Sequence, residues 1–306
     1  LRAFALVVGA ALPSTAAAGA GRATATATAA STIAASTTAR ATADPARPAP
    51  VNRSLAWRAL QPGVEYAVAA PGRPAGDLAG ADARLHIVRI DPGRAQLRAV
   101  MASAADGQPR TAAEWCRQHR LAVAINLGMY REDGLTNVGH AHTARHVNNA
   151  RWLTKYRAVL AFDPLGAGLA PARLLDLDDP AAPDALRGYL TAVQNLRLIR
   201  APRRNVWAAR GRRWSEAAVG IDDEGRVLFL FSRLPYEMNE FNRRVLALPL
   251  DLQAAMHVEG GPEASLSIHA AGVDLDLNGS YETGFNENDD ERRQWPIPNV
   301  LGVRRE

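Results

Sequence analysis

Cysteine is all but absent from this chain, Cys116 being the sole thiol in 306 residues. An intramolecular disulfide is thereby excluded, and with it the small scaffolds that depend on disulfides for stability. Cys116 falls beside Trp115 in a segment of helical pattern, with nothing local to depress a thiol pKa, so it reads as a buried structural residue and not a nucleophile. Lysine is almost as scarce. Lys155 is the only one, so the net charge of +5 is carried almost wholly by arginine. Arginine in place of lysine, together with an alanine excess, is what GC-rich codon usage produces. No basic stripe interleaved with aromatic residues is present, so nucleic acid is not expected as a partner. Nor is there an apolar run long enough to span a bilayer, so no stable membrane insertion of the mature chain is expected. Internal repeats are also missing.

The N-terminal part has a distinct composition. Residues 1–12 are apolar apart from Arg2, and Ala16, Ala17 and Ala18 supply the small residues that signal peptidase accepts. Residues 1–18 therefore read as a secretory signal, which implies an exported protein, periplasmic or secreted. Residues 19–50 are almost entirely Ala, Thr, Ser, Pro and Arg. Such a segment cannot bury enough apolar surface to offset the entropy of ordering, and reads as a disordered linker. Residues 51–306 are then expected to form one domain large enough for a sizeable core.

Within that region, residues 85–91 and 95–101 alternate apolar and polar side chains around Asp91-Pro92-Gly93, the pattern of a hairpin. Residues 111–120 predict a helix, with Thr111 as N-cap and Glu114 at the capping-box spacing. A continuously apolar strand, 121–127, follows and ends in a polar loop at Gly128, a typical place for a site. Further strands are expected at 157–163, 195–200, 217–222 and 226–232, the last two joined as a hairpin by Asp223-Glu224-Gly225. Helical spacing returns at 239–248, with Phe241, Val245 and Leu248 on one face. Strands at 254–258, 264–269, 273–277 and 297–303 complete the pattern. Hairpins with two or three interspersed helices predict an α+β fold on one mixed, mainly antiparallel sheet.

The richest chemistry lies at Glu259-Gly260-Gly261-Pro262-Glu263, where a tight glycine turn between apolar runs carries two carboxylates. Two carboxyl groups beside exposed backbone N–H groups suit general acid/base work on a glycosidic or phosphate-linked substrate. Glu259 is the expected acid/base residue and Glu263 its partner. The N–H groups of Gly260 and Gly261, with Asn126, are candidates to hold substrate or a developing negative charge. The equally simple alternatives are a solvated hairpin turn for the glutamates and a strand-end cap for Asn126. His140, His142 and His146 form a second constellation, H-x-H-x3-H. It admits substrate hydrogen bonding by His140 and His142, a divalent metal held by all three, or plain structural histidines. No other resident cofactor is indicated.

Asn126-Leu127-Gly128-Met129-Tyr130 after a buried strand resembles the N-[AG]-G-[MF]-F segment of the phosphodiester glycosidase family. Further segments follow in the family's order: Val138-Gly139, Gln194-Asn195, residues 213–220 as an arginine followed by A-[IV]-G, 259–263 in place of D-G-G-[GP]-S, and 298–303 at the end. This resemblance implies hydrolysis of a sugar-1-phosphodiester, with envelope or exported polysaccharide as the expected setting, to a free sugar and a phosphomonoester. It makes Arg213 the phosphate clamp, since a guanidinium presents a planar fork to two phosphate oxygens, with Arg212 and Arg131 in reserve. The chain departs from the pattern in having Glu259 where the family usually has Asp and Glu263 where it usually has Ser. A carboxylate in place of a hydroxyl would repel a phosphodiester unless it is protonated or offset by arginine. Two other functions fit the residues: a non-catalytic carbohydrate or cell-envelope binding module, and a metal-dependent hydrolase using His140, His142 and His146.

Overall fold

The computed structural model describes residues 54–74 and 80–306. The expected signal at 1–18, the expected linker at 19–50 and the first residues of the expected domain lie outside them. The described chain opens with strands β1 (Arg58–Gln61), β2 (Val64–Ala69), β3 (Leu85–Ile90) and β4 (Leu97–Met101). Helix α1 (Ala112–His119) feeds β5 (Leu121–Asn126), and β6 (Ala141–Thr143), β7 (His146–Asn149), β8 (Ala158–Pro164) and β9 (Ala172–Asp176) follow. The short helix α2 (Ala182–Leu186) precedes β10 (Tyr189–Asn195), β11 (Arg197–Arg200) and β12 (Arg204–Asn205). Then come β13 (Arg213–Asp222), β14 (Val227–Glu237), α3 (Met238–Leu246), β15 (Leu252–Gly260), β16 (Ser265–Ala270), β17 (Val273–Asn278) and β18 (Asn299–Arg304).

These strands make three sheets, not the single mixed sheet expected. One runs β1-β2-β3-β14-β13-β15-β11-β12, a second β7-β6-β10-β8-β9, and a third β17-β16-β5-β18-β4. Every ladder among the described residues is antiparallel. The described residues are 46% strand, with three helices and no barrel among them, so the α+β reading holds in kind. Val88, Phe229 and Met256 from the first sheet, Leu160 and Val193 from the second, and Ile125 and Leu301 from the third join in one buried cluster. The sheets therefore share a core, which is why so many strands are apolar on successive residues.

Sharing a core forces the chain to switch sheets at corners, and that overturns the expected hairpin at 85–101. Both strands exist, but β3 pairs with β2 and β14 while β4 pairs with β18. Between them Asp91 O accepts from the N–H groups of both Arg94 and Ala95, a helical turn that redirects the chain. The hairpin β13–β14 forms as expected and extends further at both ends.

Helix α1 carries the full capping box, Glu114 N–H donating to Thr111 Oγ1 at 3.2 Å and Thr111 N–H to Glu114 Oε2 at 2.9 Å. Its buried face places Trp115 and Cys116 against Leu121 and Val300. Burial pushes the Cys116 thiol up to about 12, which leaves it inert. No described helix is long and apolar enough to cross a membrane.

Candidate active site

The glutamate turn is one of these sheet-switching corners. Strand β15 belongs to the eight-stranded sheet and β16 to the sheet of β5, and the turn Gly261–Glu263 carries the chain across. Gly261 sits at φ +63°, where an added Cβ would lie 2.8 Å from Glu282 Oε2, so backbone strain and the neighbouring carboxylate both exclude a side chain. At Gly260 the obstacle is an indole, Trp214 Cδ1 lying 2.7 Å from where a Cβ would be.

A bulge aims Glu259. Ala217 pairs with Glu259 while Ala218 pairs with His257, so Val258 is the extra residue on β15. Without it Glu259 would share the face of His257. With it, Glu259 sits opposite Ala217, on the side where Ala217, Val219 and Met256 join the core. The residue is only 8% exposed. Burial holds its carboxyl well above the usual carboxylate range, the neighbouring Glu263, Glu282 and Glu216 add to the rise, and a hydrogen bond from Gly260 N–H at 3.1 Å opposes it. Glu263 is raised to about 7, by burial first and then by Glu282.

Three further members of the cluster escaped sequence reasoning. Glu216 is fully buried in mid-β13, accepting from Trp214 Nε1 at 2.6 Å, and His257 Nδ1 lies 2.8 Å from its Oε1. Burial raises the Glu216 carboxyl while His257 opposes the rise. Glu282 arrives on a loop docked across β13, where Trp214 bridges it and Ser215 Oγ accepts from Ser280 and Tyr281 N–H at 3.0 and 3.3 Å. Burial raises Glu282 too, and Arg212 and His257 pull it back. A single charged residue inside the apolar run Ala217 to Gly220 extends is the one signal that could have marked Glu216.

The expected partners fall into place unevenly. Asn126, at the end of β5, spends its amide on the turn: Nδ2 donates to Glu263 O at 3.0 Å and Oδ1 accepts from Ser265 N–H at 2.7 Å. It braces the corner, which is the strand-end role. Arg213 lies with its guanidinium 5.7 Å over the ring of Tyr281, while Arg212 Nη2 comes within 3.8 Å of Glu282 Oε1. The structure thus brings Arg212 to Glu282 at the edge of the carboxylate cluster. Tyr130 and Tyr156 stand near enough for Glu259 to add to the rise that burial imposes on both phenols.

Gln194 and Asn195 hold the flanking loops. Gln194 Nε2 donates to the carbonyls of Leu153 and Tyr156 at 2.8 and 2.7 Å, and its Oε1 accepts from His140 N–H at 3.2 Å. Asn195 Nδ2 donates to Leu127 O at 3.0 Å, setting the loop that bears Tyr130. His140 Nε2 lies 2.8 Å from His142 Nδ1, and its ring stacks at 4.1 Å on Trp152. Burial lowers the pKa of both rings. His146 turns away, its Nε2 lying 2.9 Å from Ser103 Oγ. The three histidines, for which a shared metal was one of the alternatives, are split between two sets of contacts, His140 with His142 and His146 with Ser103, on a hairpin of residues 141–143 and 146–149. Among the described residues no group of three or more His, Cys, Asp and Glu is placed to hold a metal ion.

An antiparallel framework whose sheet-switching corner is lined with glutamates defines the class: a fold with an acid centre whose carboxyl groups are raised by burial. The phosphodiester glycosidase family model matches residues 119–304, more than half of the chain, and the chain belongs to that family. The catalytic domain of zebrafish N-acetylglucosamine-1-phosphodiester alpha-N-acetylglucosaminidase, in a form auto-inhibited by its pro-peptide, shares the fold. That match has a TM-score of 0.53 and 11% identity, covering 80% of this chain and 85% of that one. A hypothetical protein from Synechocystis matches with a TM-score of 0.52 and 13% identity, covering 80% of this chain and 64% of that one. Among curated proteins none matches.

Proposed function

We propose that this protein is a hydrolase that cleaves a sugar-1-phosphodiester, with Glu259 as general acid and Glu263 as general base. The observation that carries this reading is the pair of carboxyl groups on one rigid corner, Glu259 held protonated and Glu263 poised at about 7. Glu259 gives its proton to the phosphate oxygen as the bond from that oxygen to the anomeric carbon breaks. Water adds to the anomeric carbon and its proton passes to Glu263. The products are a free sugar and a phosphomonoester, and the two carboxyl groups exchange protons with solvent to reset.

Protonation keeps the buried Glu259 from adding negative charge beside the phosphodiester, while the ionised Glu263 that stands in place of a serine has its charge offset by arginine at the rim. A carboxyl group that keeps its proton neither repels the phosphodiester nor loses its ability to donate a hydrogen bond. Arg212, at the rim beside Glu282, joins Arg213 as a guanidinium for the phosphate. A substrate on envelope or exported polysaccharide goes with the reading of residues 1–18 as an export signal.

The test is release of free sugar from a panel of sugar-1-phosphodiesters and aryl glycosides, with Glu259→Gln as control. Turnover confined to the phosphodiesters and lost in the control supports the assignment. Undiminished turnover in Glu259→Gln removes Glu259 from the mechanism, and folded protein inert on the whole panel favours a carbohydrate-binding module instead.

A further inference from the structure

The opposite end of the same sheet carries a concentration of positive charge for which the acid centre has no use. Arg98 lies on β4, Arg120 immediately before β5, Arg304 at the end of β18, and Arg94 and Arg305 flank those strands. All five are exposed and line one open cleft of about 620 Å³. Strand register fixes the gathering: Arg304 pairs with Leu121, Gly302 with Arg98, and Arg304 N–H donates to Gln96 O at 3.0 Å. None of the five guanidinium groups forms an ion pair with a described residue. Only Arg305 makes a side-chain hydrogen bond, to His269 O at 2.6 Å. Glu306 is the sole carboxylate in the lining.

Five like charges gathered with a single carboxylate among them repel one another, and a bound polyanion would relieve that repulsion. The lining narrows what the polyanion is. It contains no Phe, Tyr or Trp on which nucleic-acid bases could stack. It is concave and lacks an apolar side chain to enter a bilayer, so a planar anionic membrane is a poor match. Gln61 and Gln96 add amides suited to hydroxyl groups. We propose that this cleft is a binding site for an anionic glycan, its arginines clasping phosphate or sulfate groups and its glutamines the sugar hydroxyls. The site stands apart from the proposed acid chemistry, since β5 separates Arg120 from Asn126 by six residues, about 20 Å of strand.

The test measures binding of a dextran sulfate oligomer to the full protein by calorimetry, with unmodified dextran, inorganic tripolyphosphate, duplex DNA and phosphatidylglycerol vesicles as comparators. The expected result is binding of the sulfated oligomer and no binding of dextran. The variant Arg98→Ala/Arg304→Ala should weaken binding about tenfold and flatten its salt dependence. These substitutions lie on exposed positions, and hydrolysis by the variant, which depends on the far end of the sheet, should be unchanged. Tripolyphosphate binding as tightly as the oligomer would reduce the site to free phosphate and overturn the glycan. Tighter binding of DNA or vesicles at matched charge would do the same in favour of those partners. Oligomer binding that ignores the double variant would overturn the cleft itself.

Discussion

Strand β5 connects two ends of one sheet that treat like charge in opposite ways. At its C-terminal end Asn126 braces a corner that gathers the buried Glu216 and Glu259 and the half-buried Glu263 and Glu282. At its N-terminal end five arginines spread over an open cleft. Buried carboxyls can escape repulsion by keeping their protons, and all four are raised for that reason. Arginine has no such escape, since its guanidinium stays charged at any ordinary pH, so a cluster of arginines must be solvated or await a counter-ion. The acid end therefore stores proton affinity, which is what general acid/base chemistry needs, while the basic end stores charge, which is what recognition of an anion needs.

The largest expected effect tests the acid end directly. Glu259→Gln keeps the shape of the side chain and removes its proton, and turnover should fall about 10²- to 10⁴-fold with circular dichroism unchanged. The pH profile of kcat/KM sharpens the assignment. Glu263 must be ionised to act as base, so activity should rise through pH of about 7, and it should fall again at higher pH as Glu259 loses its proton. In Glu263→Gln the limb near 7 should disappear. A limb that persists would assign that ionisation to another group.

The next effect is on stability and has an unusual sign. Glu263 binds its proton up to a pH of about 7 when folded and to the ordinary 4.5 when unfolded. Between those values the unfolded chain holds fewer protons, so stability falls as pH rises through the window and the loss is complete above it. That loss amounts to about 3 kcal/mol for Glu263. Glu263→Gln should therefore be more stable than wild type by up to about this amount at pH 8, and indistinguishable from it near pH 4.5, as read by urea denaturation. An equal effect at both pH values would mean that the gain has nothing to do with the proton. A stability cost of this kind is what the proposed role of Glu263 as a base near neutral pH would carry.

How much of this was legible in the sequence depends on whether the signal was local. The capping box at Thr111 and Glu114, the hairpin turn Asp223-Glu224-Gly225 and the two carboxylates flanking Gly260-Gly261 are short-range patterns, and each was readable. Sheet membership was not. Residues 85–90 and 97–101 look like partners because their alternation and turn residues are right, yet the choice of partner is made by a core drawn from three sheets. The same limit hid half of the acid centre. His257 meets Glu216 across the β13–β15 ladder and Glu282 arrives on a docked loop, and neither carries a mark in its own neighbourhood. Composition likewise showed an arginine excess without showing that strand register collects five arginines at one end.

A smaller effect probes the corner itself. Gly261→Ala imposes a left-handed conformation on a residue with a Cβ and drives that atom to within 2.8 Å of Glu282 Oε2. A cost of about 1–2 kcal/mol in stability is expected from the backbone alone. Because Glu282 must move, the acid limb of the pH profile should shift downward as one source of the rise at Glu263 is withdrawn. A stability loss with an unmoved pH profile would show that Glu282 does not act on Glu263 through the position it holds across Gly261.

The smallest expected effect separates the two ends by their response to salt. The Arg98→Ala/Arg304→Ala variant removes two of five mutually repelling surface charges, which should raise stability by a few tenths of a kcal/mol at low ionic strength. Screening shortens the reach of that repulsion to about 3 Å at 1 M salt, so the difference from wild type should vanish there. Glu263→Gln should keep its advantage at pH 8 under the same conditions, because the penalty it removes comes first from burial and salt does not reach it. If salt erased both gains alike, the acid cluster would be behaving as a surface patch, and the contrast between a desolvated end and a solvated one would fail. If it erased only the arginine gain, each end would be governed by the physics its burial dictates, with protons regulating one and dissolved ions the other.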